Sequence, residues 1–101
     1  MFLFNKVPTI SNRELAALLP ENPTIIDVRE KHEFQGGHIP KAENIPLGKI
    51  ANYKKPVKEK LYIVCQSGAR SKQAVSILQE KGYEAVNLKG GMITWNGPVR
   101  Q

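Results

Sequence analysis

Cys65 is the only cysteine in the chain, and its neighbours are of the kinds that activate a thiol. It closes the apolar run Leu61-Tyr62-Ile63-Val64-Cys65, which is followed by Gln66-Ser67-Gly68-Ala69 and then by Arg70 and Ser71. A lone cysteine has no intramolecular disulfide partner, so it is buried filler, a reactive thiol or an accidental surface thiol. A short glycine-bearing loop between a strand and a helix turns successive backbone N–H groups into a concave nest, and the helix start adds partial positive charge. Those donors favour S⁻ over SH. Gly68 lets the backbone curl where a Cβ would obstruct it, and Arg70 brings a permanent cation with planar donors. Burial as an apolar residue is the commonest fate of a free cysteine. Here glycine, arginine and helix start coincide within the six residues Cys65 to Arg70, and the reactive reading is preferred.

The elements that must position this loop are legible in outline. Ser11-Asn12-Arg13-Glu14 is a capping box, and Leu15, Leu18 and Leu19 give the apolar face of a helix predicted to end before Pro20. Thr24 to Val28 is a compact β-branched run and reads as a buried strand. A single helical turn is expected at Glu30–Phe34 ahead of Gly36-Gly37, a short strand at Ala42–Ile45 and a short helix at Leu47–Tyr53. After the strand ending at Cys65, a helix is predicted from about Arg70 to Lys81, with Ala74, Val75 and Leu78 on one face and Gly82 as its C-cap. Glu84–Leu88 is the last strand, and Gly90-Gly91 opens a terminal helix carrying Trp95. Strands that alternate with helices and are apolar on both faces predict an α/β fold, a central parallel sheet of about five strands covered by helices on both sides. In such a sheet, ligands bind beyond the carboxyl ends of the strands, where Cys65 lies.

Length and composition agree with one soluble globular domain over residues 1–101. Hydrophobic residues are 41% and charged residues 24%, with Gly and Pro at 8 and 7, which excludes collagen-like, low-complexity and disulfide-scaffold chains. No apolar run approaches the roughly 20 residues of a membrane span. Met1 to Lys6 has neither a basic start nor an apolar stretch long enough for a signal peptide, so a cytoplasmic location is expected. Fifteen Lys and Arg against nine acids give a net charge of +6, a field that concentrates anions.

Four ordered stretches resemble the rhodanese, or thiosulfate sulfurtransferase, family. Cys65-Gln66-Ser67-Gly68-Ala69-Arg70-Ser71 looks like its active-site loop. Ile25-Ile26-Asp27-Val28-Arg29 with Glu33 resembles its early Asp-Val-Arg motif. Gly37-His38-Ile39-Pro40 with Ala42 resembles its Gly-His-Ile-Pro-x-Ala motif, and Gly90-Gly91-Met92-Ile93-Thr94-Trp95 resembles its closing Gly-Gly-x-x-x-Trp motif. The resemblance runs from about residue 8 to 97. It implies a rhodanese-like fold and a ping-pong reaction in which a sulfane donor such as thiosulfate leaves its outer sulfur on Cys65 as a persulfide, for a thiol, a protein or cyanide to collect. The implied site has Cys65 as nucleophile, and the amides of Gln66, Ser67, Gly68, Ala69 and Arg70 as an anion cradle. The Arg70 side chain would orient donor or acceptor. No cofactor and no metal are expected. The expected partners are a small anionic sulfur donor and a thiol or protein acceptor, with the protein a monomer or weak dimer. Lys41 departs from the family's usual Gly, and neutral Gln66 and Ser67 stand where some thiosulfate-specific members carry cations. Phosphatase loops resemble this one but are a residue longer, because four residues separate Cys65 from Arg70. Two alternatives stay open, a relay that serves only a dedicated partner and a silent binding fold.

The remaining residues have structural readings. Asp27 and Arg29 are expected to form, with Glu33, an internal ion-pair network bracing the loops. His38 reads as a hydrogen-bonded structural residue, Trp95 as core and secondly as a pocket wall, and Ser71 as a residue of the helix's first turn. Lys49, Lys54, Lys55, Lys58 and Lys60 fall within twelve residues with only Tyr53 as an aromatic companion. They read as a solvated basic connection, able to dock an acidic acceptor, rather than as a nucleic-acid surface.

Overall fold

The alternation along the chain builds a five-stranded, wholly parallel sheet in the order β1-β5-β4-β2-β3. The computed structural model describes residues 7–101; the reading of Met1 to Lys6 lies outside them. The strands are β1 (Thr9–Ile10), β2 (Thr24–Asp27), β3 (Glu43–Asn44), β4 (Leu61–Val64) and β5 (Ala85–Leu88). The helices are α1 (Asn12–Leu18), α2 (Lys31–Gln35), α3 (Ala69–Glu80) and α4 (Gly91–Thr94), with 3-10 turns at Leu19–Glu21 and Leu47–Asn52.

Period-two alternation sorts the strand side chains onto two faces. Ile26, Val28, Ile63 and Cys65 form one buried cluster with Ala74, Val75 and Leu78 of α3 and Ile50 of the second 3-10 turn. Ile25, Val64 and Leu88 form the other with Leu15 of α1, Ile39 and Trp95. Burying each such aliphatic side chain contributes roughly 1.5–3 kcal/mol, more than the ~1 kcal/mol of a helix cap. The seven-residue α1 is too short to persist alone. Its capping box is formed as expected, but the complete burial of Leu15 is what holds it to the sheet.

Three details go beyond the sequence expectations. Helix α1 ends at Leu18, before Pro20 as expected, but Leu19–Glu21 follow directly as a 3-10 turn with proline near its start, where a missing N–H costs nothing. Trp95 caps α4 rather than lying within it. The strand at Thr9–Ile10 carries no local signal. It exists because Pro8 and Ile10 offer carbonyls to the amides of Asn87 and Lys89 at 2.8 and 2.9 Å. The lysines from Lys49 to Lys60 named above are all exposed, and Lys55 pairs with Glu43 at 2.9 Å. Among the described residues, no helix is long and apolar enough to cross a membrane.

Candidate active site

The sulfur sits at the hinge between the central strand β4 and helix α3. Gly68 stands at the N-cap of α3 with φ of +107°, a conformation that L side chains rarely adopt. That turn aims the Gly68 amide back at the Cys65 sulfur, 3.0 Å away. The Ser71 hydroxyl reaches the same sulfur at 3.2 Å. Cys65 is completely buried. Burial is the largest single influence on its thiol and pushes the pKa up; the Ser71 hydroxyl and the amides of Ser71, Gly68 and Ser67 together outweigh it and hold the thiol below its ordinary value. The ring of donors therefore runs through Ser67, Gly68 and Ser71, one residue beyond the Gln66-to-Arg70 cradle expected from the sequence.

The loop is clamped from below by the turn into α4. The Met92 and Ile93 amides donate to the carbonyls of Cys65 and Gln66 at 2.9 and 3.0 Å. This approach is possible only because residue 91 is glycine: a Cβ there would stand 2.5 Å from the Cys65 carbonyl oxygen, at a φ of +62°. Behind the sulfur, the buried Ser71 hydroxyl also contacts the Gly68 carbonyl at 3.1 Å and the side-chain amide of Asn87, a buried polar residue inside the otherwise apolar β5. Sequence reasoning missed both roles. The available signal was Asn87 itself, a polar residue in a strand with no exposed position.

The charged residues sort into two separate pairs rather than one network. Arg29, nearly fully buried, donates from Nε and Nη2 to the Asp27 carboxylate at 3.0 and 2.8 Å, to the Gly37 carbonyl at 2.7 Å and, from Nη1, to Gln66 Oε1 at 3.4 Å. It thereby ties the loop at Gly37 to the end of β2. Asn44 supports this from β3, donating to the carbonyls of Asp27 and Arg29 at 3.0 and 2.9 Å. Glu33 makes no hydrogen bond to these two and takes Arg70 instead, in a two-pronged pair of 2.7 and 2.9 Å. Hydrogen bonding from Arg70 pulls the Glu33 carboxyl down to about 2, with the Glu30 amide assisting. Both terminal nitrogens of Arg70 are thus occupied by Glu33.

His38 contacts the Phe34 carbonyl through Nδ1 at 2.8 Å and stacks on the Phe34 ring at a centroid distance of 3.7 Å. Trp95 packs in the core against α1 and donates from Nε1 to the Pro98 carbonyl at 3.0 Å. Ser67 and Ala69 are exposed, and Gln66 is half-buried. Lys41 has φ of +70°, which accounts physically for glycine being usual at that place, and its ammonium donates to Asn22 at 2.8 Å. Among the described residues no three His, Cys, Asp or Glu side chains gather as a metal site would require. An apolar cavity of about 630 Å³ lies between Leu19, Pro23, Pro40 and Pro98, and none of residues 65–71 lines it.

Comparison with known proteins places this geometry. The description "Rhodanese-like domain" matches residues 11–97. The chain belongs to the rhodanese-like domain family. This rhodanese-like domain is 42% identical over 79 residues to the uncharacterised protein YqhL of Bacillus subtilis, covering 75% of this chain and 63% of that protein's length. It is 36% identical over 84 residues to the thiosulfate sulfurtransferase GlpE of Pseudoalteromonas translucida, covering 80% of each. The crystal structure of a rhodanese-like domain protein from Staphylococcus aureus superposes with a TM-score of 0.83 at 36% identity, over 93% of this chain and 97% of that one. The five-stranded parallel α/β architecture is therefore that of the family.

Proposed function

We propose that this domain is a sulfurtransferase that carries a sulfane sulfur on Cys65. The observation that carries the reading is the convergence of the Gly68 amide and the Ser71 hydroxyl on a thiol whose pKa they help to lower. Kinship to a thiosulfate sulfurtransferase over 80% of both chains supports the same chemistry. The Cys65 thiolate attacks the outer sulfur of the donor. With thiosulfate, the new Cys65 S–S bond forms as the old S–S bond breaks, and sulfite departs with the bonding pair. The persulfide is then attacked at its terminal sulfur by an acceptor thiolate, which takes that sulfur and returns the Cys65 thiolate. The scheme uses no separate base, because the surrounding donors lower the thiol's pKa and so favour the thiolate. His38, with Nδ1 at the Phe34 carbonyl and its ring stacked on Phe34, has a structural role in this scheme.

The proposed machinery comprises Cys65 as nucleophile, the loop Gln66 to Arg70 with Ser71 as the cradle, and Asp27, Arg29, Glu33, His38 and Trp95 as its supports. All of it lies within one domain, and no cofactor enters the scheme. A partner-dependent relay is the second reading, favoured by the complete burial of Cys65, which keeps its sulfur out of free contact with solvent. Intact mass after incubation with thiosulfate tests the first reading. A gain of one sulfur atom, removed by cyanide or dithiothreitol and absent in Cys65→Ser, is expected. A wild-type protein that gains no sulfur while Cys65 remains alkylatable refutes thiosulfate as donor and leaves the relay.

A further inference from the structure

The Glu33–Arg70 pair bears on which donors reach the sulfur, an inference that rests on sulfur transfer at Cys65. Arg70 is the only cation of the loop, since Gln66, Ser67, Gly68, Ala69 and Ser71 are neutral. Its guanidinium is gripped by both oxygens of Glu33 at 2.7 and 2.9 Å. The carboxylate is itself held in place, because Glu33 Oε1 accepts the Glu30 amide at 2.9 Å as part of the cap of α2. Glu30 lies close enough to act on Arg70 as a second acid. The other nearby guanidinium, Arg29, is buried and paired with Asp27. Lys31 and Lys49 line a different groove, with Phe34 and Pro46, to which residues 65–71 contribute nothing. Within residues 65–71, the one cation is thus matched by a carboxylate, despite the surplus of +6 over the whole chain. The pair is still at the surface: the Arg70 and Glu33 side chains are 34% and 24% exposed.

We propose that Glu33 is a specificity-determining residue: by neutralising Arg70 at the edge of the loop, it disfavours dianionic sulfane donors and leaves the site to donors of one negative charge or none. A hydropersulfide on a small thiol or a partner protein belongs to the favoured class. The Cys65 thiolate attacks its outer sulfur, the donor's S–S bond breaks, and the donor thiolate leaves with the bonding pair. The proton of the hydropersulfide stays with the transferred sulfur, so charge and atoms balance. Thiosulfate belongs to the disfavoured class. The neutral amides and hydroxyl around the sulfur serve both classes alike.

Methanethiosulfonate is the matching probe, because it is thiosulfate with one anionic oxygen replaced by a methyl group. Its outer sulfur passes to the Cys65 thiolate with methanesulfinate as leaving group, and it carries one charge where thiosulfate carries two. A unit charge about 4 Å away through a water-like dielectric changes affinity by about fivefold per charge on the ligand. Glu33→Gln keeps the cap acceptor and one contact to Arg70 while removing the negative charge. In this variant kcat/KM should rise about fivefold for methanethiosulfonate and about 25-fold for thiosulfate, so that the ratio between donors moves about fivefold toward thiosulfate. The double variant Glu33→Gln/Arg70→Gln, again neutral, should return the ratio to that of the wild type. An unchanged ratio in Glu33→Gln, or a parallel fall with both donors, overturns the proposal and leaves Glu33 as a brace. If no protein gains sulfur from either donor by intact mass, sulfur acceptance at Cys65 fails first and the donor preference falls with it.

Discussion

Replacing Ser71 by alanine removes one hydroxyl from beneath the Cys65 sulfur and leaves the amides in place. Of the groups that lower this thiol, the Ser71 hydroxyl acts most strongly, ahead of the amides of Ser71, Gly68 and Ser67, although burial opposes them all. The hydroxyl has one proton and three acceptors, the sulfur at 3.2 Å, the Gly68 carbonyl at 3.1 Å and the Asn87 side chain. The thiolate, being charged, is the strongest of these acceptors. A hydrogen bond to a charged group is worth about 1.5–3 kcal/mol, so its loss should raise the thiol's pKa. The rate consequence is smaller than that shift. Above the assay pH, each unit cuts the thiolate fraction about tenfold, but a more basic thiolate attacks about threefold faster, leaving a net loss of about threefold per unit. Alkylation by iodoacetamide, followed by intact mass from pH 5 to 10, should show the Ser71→Ala curve displaced to higher pH and meeting or passing the wild type at the alkaline end. The same midpoint in both proteins would refute the assignment of the hydroxyl to the sulfur. A fall of equal size at every pH would mean that the loop had been displaced instead.

Asp27→Asn breaks a buried ion pair whose partner stays buried, which should cost about 3–5 kcal/mol and lower Tm by more than about 10 °C in a calorimetric scan. Gly91→Ala places a methyl 2.5 Å from the Cys65 carbonyl oxygen at a φ of +62°; a loss of about 1–3 kcal/mol in denaturant unfolding is expected, together with loss of sulfur acceptance even in the folded fraction. Glu33 has its folded-state pKa depressed from 4.5 to about 2, so its contribution to stability is complete above about pH 4.5 and is lost as pH falls toward 2. Urea midpoints measured across that window should fall less steeply for Glu33→Gln than for the wild type.

Local signals in the sequence were read correctly where a single element decides the outcome. Ser11 and Glu14 mark the start of α1, Gly82 follows the end of α3, and Cys65 lies directly beyond the last residue of β4. What escaped is set by partners far along the chain. The strand at Thr9–Ile10 depends on β5, the Glu33–Arg70 pair joins residues 37 apart, and Asn87 meets Ser71 across 16 residues. The motif residues Asp27, Arg29 and Glu33 could be grouped as charged neighbours, but not divided into pairs, because the division depends on how α2 lies against the start of α3. Ser71 lies in the first helical turn, as its place in the sequence predicts. That its hydroxyl turns inward to the sulfur follows from the glycine turn before it.

The two outer strands of the sheet, Thr9–Ile10 and Glu43–Asn44, are only two residues long, whereas the three inner ones have four each. An unfilled sheet edge is a template on which another chain can add a strand, and its hazard grows with its length. Here each edge offers a template too short to seed such growth, and Glu43 on one of them is exposed and charged. The parallel core can therefore remain strongly apolar, as the burial of Cys65 requires, while its edges give another chain little length to pair with.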